Sequence, residues 1–307
     1  MVLYIDKDFL EDFYLDFDND PIKIIVKNII TNYGDKKVFI NYNENEFEKL
    51  KQENEFFSLI CNTTVPLPIE DLEESVKKSN FSQTLVFTKK SELWFESLEN
   101  KGAWCFSFDN YEFKIKELIH KLHIKVDLGI PFNNWNALDF STIPFNSIQI
   151  TDGYILKDEK NSKDNLIPLI NSFVKAKKET ITIDLLVKEL GAKNNLEEKK
   201  KEFAKKQHTM LNSVFSNLQT RFSIYVSNLI SNIDLHDRTV LTNFTILDSG
   251  VGFSLVGRKV SNSQLVSESI FEKYTYDRLK RLKKVQQKYI EKLNSDAFQS
   301  TKFYKLP

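Results

Sequence analysis

The residues best equipped for chemistry fall in one short stretch, 236-HDRTVLTNFTILDSGVGF-253. His236 and Arg238 lie two apart, so in an extended chain their side chains share one face. Asn243 follows five residues later, Gly250 seven beyond that, and Gly252 next but one. Glycines let the backbone pass close to whatever those side chains face, exposing N–H groups. Imidazole, guanidinium, carboxamide and backbone donors converging on one spot suit a phosphate or another oxyanion. The plainer alternative for His236 is a strand position with no ligand.

The spacing resembles the phospholipase D superfamily motif, His-x-Lys followed at fixed intervals by Asp and Gly. Arg238 stands in the lysine position and Asn243 in the aspartate position. Over a wider span, 152-DGYI-155, 165-NL-166, 236-HDR-238 and the glycine pair resemble, in order, the phospholipase D-like C-terminal domain of MIT-domain-containing proteins. Gly153 stands where that family has proline, and its Gly-Arg-Gly-Leu-Asp segment has no clean counterpart. The resemblance covers about residues 147–265. It implies a phospholipase D-like fold in a domain that binds anionic lipid or protein partners without catalysis. Hydrolases of the superfamily use two such histidines, one as nucleophile and one as general acid. The other candidate, 123-HIK-125, has Ile130 where the acid should fall, so the chain carries one copy. A homodimer pairing two copies of His236 restores the count. Asn243, however, supplies no negative charge to hold an imidazolium.

A second chemistry is suggested near the N-terminus, in 4-YIDKDFLEDFYLDFDND-20. Asp6 follows an apolar run and Asp109 follows another. Ligands of parallel α/β sheets gather at the carboxyl ends of strands. Asp6 and Asp109 would there hold Mg²⁺ in the manner of PIN-like nucleases. The competing reading is that Asp8, Glu11 and Asp12 begin a helix, where acids are favourable. No cofactor is expected outside this metal-nuclease alternative. No phosphate-binding loop, dinucleotide fingerprint, His-Glu-x-x-His or nucleophile elbow occurs.

The C-terminal region is basic. Within the expected helix 267–295, Lys280, Arg281, Lys283 and Lys284 lie beside an apolar stripe that includes Leu279, Leu282 and Tyr289. An apolar stripe docks on something, and the basic residues then track nucleic-acid phosphates or an acidic protein surface. Residues 1–150 carry 16 basic against 25 acidic residues, a net of −9; residues 151–307 carry 27 against 18, a net of +9.

The elements that must position these residues follow from periodicity. Apolar runs at 2–5, 37–41, 84–88, 103–108 and 123–128 alternate with helical patterns at 21–33, 44–57, 89–102 and 111–122. The second half reads as strands at 148–156, 180–187, 222–228, 235–243 and 244–249, with helices at 164–176 and 196–218 and the terminal one. Pro131 and Pro144 punctuate 128–147, where the division is placed. The expectation is an α/β protein: a mostly parallel Rossmann- or PIN-like domain over 1–145 and a phospholipase D-like domain over 146–307. A chain of 307 residues with 41% hydrophobic and 28% charged content suits two soluble domains. The N-terminus has no signal pattern and no run spans a membrane, and Cys61 and Cys105 lack metal-type spacing. The location expected is therefore the cytoplasm. A binding subunit for nucleic acid or a partner protein, of the kind found in prokaryotic phage-defence systems, and a nuclease remain the two functional expectations.

Overall fold

A computed structural model describes residues 1–129, 132–188, 197–216, 220–226, 238–258 and 263–294. The chain forms two compact units, Met1–His120 with Ile270–Tyr276, and Lys121–Ser269 with Asp277–Pro307. Counted over these units the charges are 15 basic against 24 acidic and 28 against 19, again −9 and +9.

In the first unit the order is β1 (Val2–Ile5), α1 (Lys7–Leu15), α2 (Pro21–Lys27), β2 (Lys37–Ile40), α3 (Phe47–Glu53), α4 (Glu55–Thr63), β3 (Leu67–Pro68), α5 (Leu72–Lys77), β4 (Thr84–Thr88), α6 (Phe95–Asn100), β5 (Trp104–Ser107) and α7 (Tyr111–Leu122). The strands lie β3-β2-β1-β4-β5, and every pair is parallel. Parallel strands covered on both faces read as continuous apolar runs, and β4 (TLVFT) is buried along its whole length. On one face Phe9 and Phe13 of α1 pack with Phe56, Phe87 and Tyr111. The other face buries Tyr4, Val76, Val86, Phe95, Leu98 and Cys105.

Both sheet edges are closed against stray pairing. At β3 the edge holds Pro66 and Pro68, which lack N–H donors. At β5 the Cys105 N–H donates to Glu99 Oε1 (3.3 Å) and its carbonyl accepts from Lys114 Nζ (2.9 Å). Glu99 and Lys114 also pair with each other. Together they act as the missing neighbouring strand.

The second unit runs β6 (Ile124–Asp127), β7 (Ser147–Thr151), α8 (Glu159–Asn161), α9 (Ile167–Val174), β8 (Ile181–Val187), α10 (Glu197–Val214), β9 (Thr220–Val226), β10 (Thr239–Leu241), β11 (Thr245–Ser249), β12 (Gln264–Ser269) and α11 (Lys273–Asn294). Its sheet is mixed, in the order β6-β12-β11-β10-β7-β8-β9, with β7, β8 and β9 parallel and the other pairs antiparallel. The chain is therefore α/β throughout. Among the described residues no helix is long and apolar enough to cross a membrane, and Cys61 and Cys105 are free thiols.

Three expectations are corrected. The division expected at 145/146 falls at 120/121, because β6 pairs with β12 in the second sheet. The stretch 128–147, where the division is expected, instead packs into the second unit: Phe132, Trp135, Leu138, Phe140, Ile143 and Phe145 are buried. Phe140 stacks on Phe173 with ring centroids 4.8 Å apart. Finally, residues 267–269, expected to be helical, end strand β12, and the helix begins at Lys273.

Candidate functional site

Strands β10 and β11 form a tight antiparallel hairpin whose turn is tied by Thr242. Its Oγ1 accepts from the N–H groups of Phe244 (3.3 Å) and Thr245 (3.1 Å). Pairing of Thr239 with Asp248 carries Arg238 alongside Ser249, whose N–H donates to the Arg238 carbonyl (3.0 Å). The guanidinium then reaches the glycine turn, Nη1 donating to the Gly250 carbonyl at 2.7 Å. Arg238, Gly250 and Gly252 are thus brought together as the spacing suggested. His236 lies outside the described residues.

Beneath this turn sits Asp152, quoted in the DGYI motif but not singled out from sequence. It is 2% exposed, at the end of β7. Its Oδ1 accepts from the Tyr154 N–H (2.9 Å) and Oδ2 from the Phe253 N–H (2.7 Å). Burial pushes its pKa up, while these N–H donors and the nearby Arg238 charge pull it back. A lone acid ending an apolar strand was the sequence signal. The turn's donors are consequently engaged: Gly252 N–H points to the Ser249 carbonyl (3.3 Å) and Phe253 N–H to Asp152. A backbone cradle for an oxyanion is not built at these two amides. An anion-binding resource beside the turn is Arg238, half-buried, whose Nη1 donates to the Gly250 carbonyl.

Asn243 does not join this group. It lies in the turn beyond the opposite end of β10, so the three-residue strand, about 10 Å long, stands between it and Arg238. The side chain is fully buried, with Oδ1 accepting from Ser147 Oγ (3.0 Å) and the Asn146 N–H (3.4 Å). Its role is to fasten the start of β7.

Helix α11 sorts the expected basic residues by face. Leu279, Leu282, Gln286 and Ile290 are buried, and Gln286 Nε2 donates to Thr151 Oγ1 (2.9 Å) and Thr239 Oγ1 (3.4 Å). Lys283, expected to meet phosphates, turns inward: its ammonium donates to the Asn243 carbonyl (3.2 Å), and burial lowers its pKa to about 7. Lys280 is half-buried, and Arg278 pairs with Asp248. Arg281 and Lys284 are exposed, and Lys288 joins them at helical spacing on the same open face. Asp277 and Glu291 bound this short stripe.

In the first unit Asp6 caps α1. Its Oδ1 accepts from the Asp8 N–H (3.1 Å) and Asn41 Nδ2 (3.2 Å), and Oδ2 from the Lys89 N–H (3.4 Å). Asp109 is exposed in the turn after β5, a strand that β4 separates from β1. Among the described residues no group of three or more His, Cys, Asp or Glu is arranged to hold a metal ion. The carboxylate of Asp6 is committed to two backbone N–H groups and the Asn41 carboxamide. No protein-family model and no curated protein matches this chain.

Proposed function

We propose that the second unit is a phospholipase D-like domain that binds phosphodiesters without cleaving them, and that its ligand is nucleic acid. One observation carries the reading. Arg281, Lys284 and Lys288 share the open face of α11 within a unit of net charge +9, with no ion-pair partner among the described residues. Exposed, unpaired cations in a row match a phosphate backbone, each neutralised phosphate releasing counterions. Two of the motif's residues are otherwise engaged. Asn243 supports the neighbouring chain, and Arg238 holds the glycine turn. A binding subunit of a prokaryotic nucleic-acid or phage-defence system fits this chemistry.

The test is fluorescence polarisation with labelled single- and double-stranded DNA and RNA across a salt series. Replacing Arg281, Lys284 and Lys288 with Gln is expected to weaken binding and to flatten the slope of log K against log salt by about 2 to 3. The control replaces Lys157, Lys163 and Lys178, three exposed lysines elsewhere in the unit, with the same loss of charge. An equal loss in the control sinks the stripe as the reader. Phosphodiester cleavage that resists EDTA and disappears in His236→Ala would replace the binding reading with a hydrolytic one.

A further inference from the structure

The first unit holds a cavity of about 680 Å³ at the carboxyl ends of β1, β2 and β3, lined by residues that follow each strand. That edge of a parallel sheet is where α/β proteins bind ligands, and the volume suits a small molecule. We propose that this cavity binds an uncharged polyhydroxylated molecule, presenting a vicinal diol, and rejects its phosphorylated forms.

The chemistry of the wall selects the hydroxyl group. Lys7 Nζ donates to Glu46 Oε2 (3.1 Å), which also accepts the Asn43 N–H (3.2 Å), so this pair forms a fixed, locally neutral floor. The fixation shows in Glu46, whose pKa is lowered first by the Lys7 bond and then by the Asn43 N–H. Around it stand the exposed carboxylates of Glu44 and Glu70 and the carboxamides of Asn43 and Asn45. Carboxylates only accept, ammonium groups only donate, and carboxamides do both. A hydroxyl donates and accepts at one atom, so neighbouring hydroxyls satisfy this mixed wall. An ammonium ligand would find Glu44 and Glu70 but has no lone pair to offer the N–H donors of Lys7 and the carboxamides. A phosphate would meet Glu44 and Glu70. The start of α1, where a phosphate would find free N–H groups, instead carries Asp6 and Asp8.

Sugars and nucleosides share the diol, and calorimetric titration of the full chain separates them. The probes are D-glucose, D-ribose, adenosine, 2′,3′-dideoxyadenosine and AMP. Saturable binding of at least one diol is expected, weakened at least tenfold by Glu44→Gln or Glu70→Gln and unaffected by Glu92→Gln outside the cavity. If adenosine is the diol that binds, AMP and the dideoxy compound are expected to bind at least tenfold more weakly. The three glutamates are exposed, so unchanged melting temperatures keep the comparison clean. Absence of saturable heat with glucose, ribose and adenosine alike overturns the proposal. So does binding that survives both cavity variants, or AMP binding as tightly as adenosine.

Discussion

Gly252 and Gly250 stand two residues apart and make opposite demands on the chain. Gly252 has φ +88°, and a Cβ there would lie 2.9 Å from Asp152 Oδ2 and 3.2 Å from Arg238 Cδ. Gly250 has no such φ, and its nearest atom would be Ser263 Oγ at 3.6 Å. Gly252→Ala is therefore expected to destabilise by about 1–3 kcal/mol, through backbone strain and displacement of the buried carboxylate. Gly250→Ala is expected to be near neutral. Melting curves of the two variants check the contrast, and equal losses would refute the assigned role of Asp152. Lys36 offers a second test at this scale. Its ammonium is buried with no hydrogen-bond partner among the described residues, and burial lowers its pKa to about 8. An unfolded lysine titrates near pH 10.4, so between these values the unfolded chain binds more protons and stability rises with pH. Below pH 8 both states are charged and the burial penalty is complete. Lys36→Met is expected to raise the melting temperature at pH 7 and by clearly less at pH 10. An equal gain at both values would show that the charge is not what costs stability.

At the scale of elements, the β5 edge depends on two side chains from different helices, Glu99 of α6 and Lys114 of α7. Lys114→Met would leave the Cys105 carbonyl and the Glu99 carboxylate without this partner. Orphaning a buried polar group costs roughly 1–3 kcal/mol. The variant is expected to melt several degrees lower and to alkylate faster at Cys105, a fully buried thiol in the wild type. Unchanged labelling would mean that the edge stays closed without the clamp. Helix α11 shows the same dependence on surroundings. Its charges at 278, 281, 283, 284 and 288 look interchangeable along the chain. Packing turns Lys283 onto the Asn243 carbonyl and leaves 281, 284 and 288 outward.

For the molecule as a whole, the first unit is not contiguous in sequence. Phe271 packs on Trp104 with ring centroids 5.0 Å apart, and Tyr276 stacks on Tyr33 at 4.6 Å. Tyr33 Oη donates to the Ile270 carbonyl (2.7 Å), and Tyr276 Oη to the Gly34 carbonyl (2.6 Å). A fragment of residues 1–120 loses both aromatic contacts, and aromatic side chains are the largest contributors to buried area. It is expected to bind a hydrophobic dye and to melt without a sharp transition. The same fragment joined by a flexible linker to residues 270–276 should recover cooperative melting. A sharply melting 1–120 fragment would show that the late segment is dispensable.

Much of the fold was legible in local pattern. Apolar runs located β1, β2, β4 and β5 to within a residue or so, and the strand–helix alternation indicated the α/β class. The expected strands 222–228 and 244–249 likewise overlap β9 and β11, with residues 227 and 228 outside the described residues. The opposite charges of the two regions are arithmetic and survive the revised division. What local pattern lacked was the choice of partner. Run 123–128 is strand-like in either unit, and only pairing with β12, some 140 residues later, assigns it to the second sheet. Prolines at 131 and 144 mark turns but do not say whether the chain between them is exposed. Burial of Trp135 and Phe140 decides that. The same limit applies to the site. A spacing of five put Arg238 and Asn243 in one motif, yet an extended strand carries them to opposite ends, while the hairpin folds Gly250 back onto Arg238. Sequence spacing determines which residues share a face of one element. Which faces meet depends on long-range pairing and on where buried polar groups find partners, and only the tertiary structure decides that.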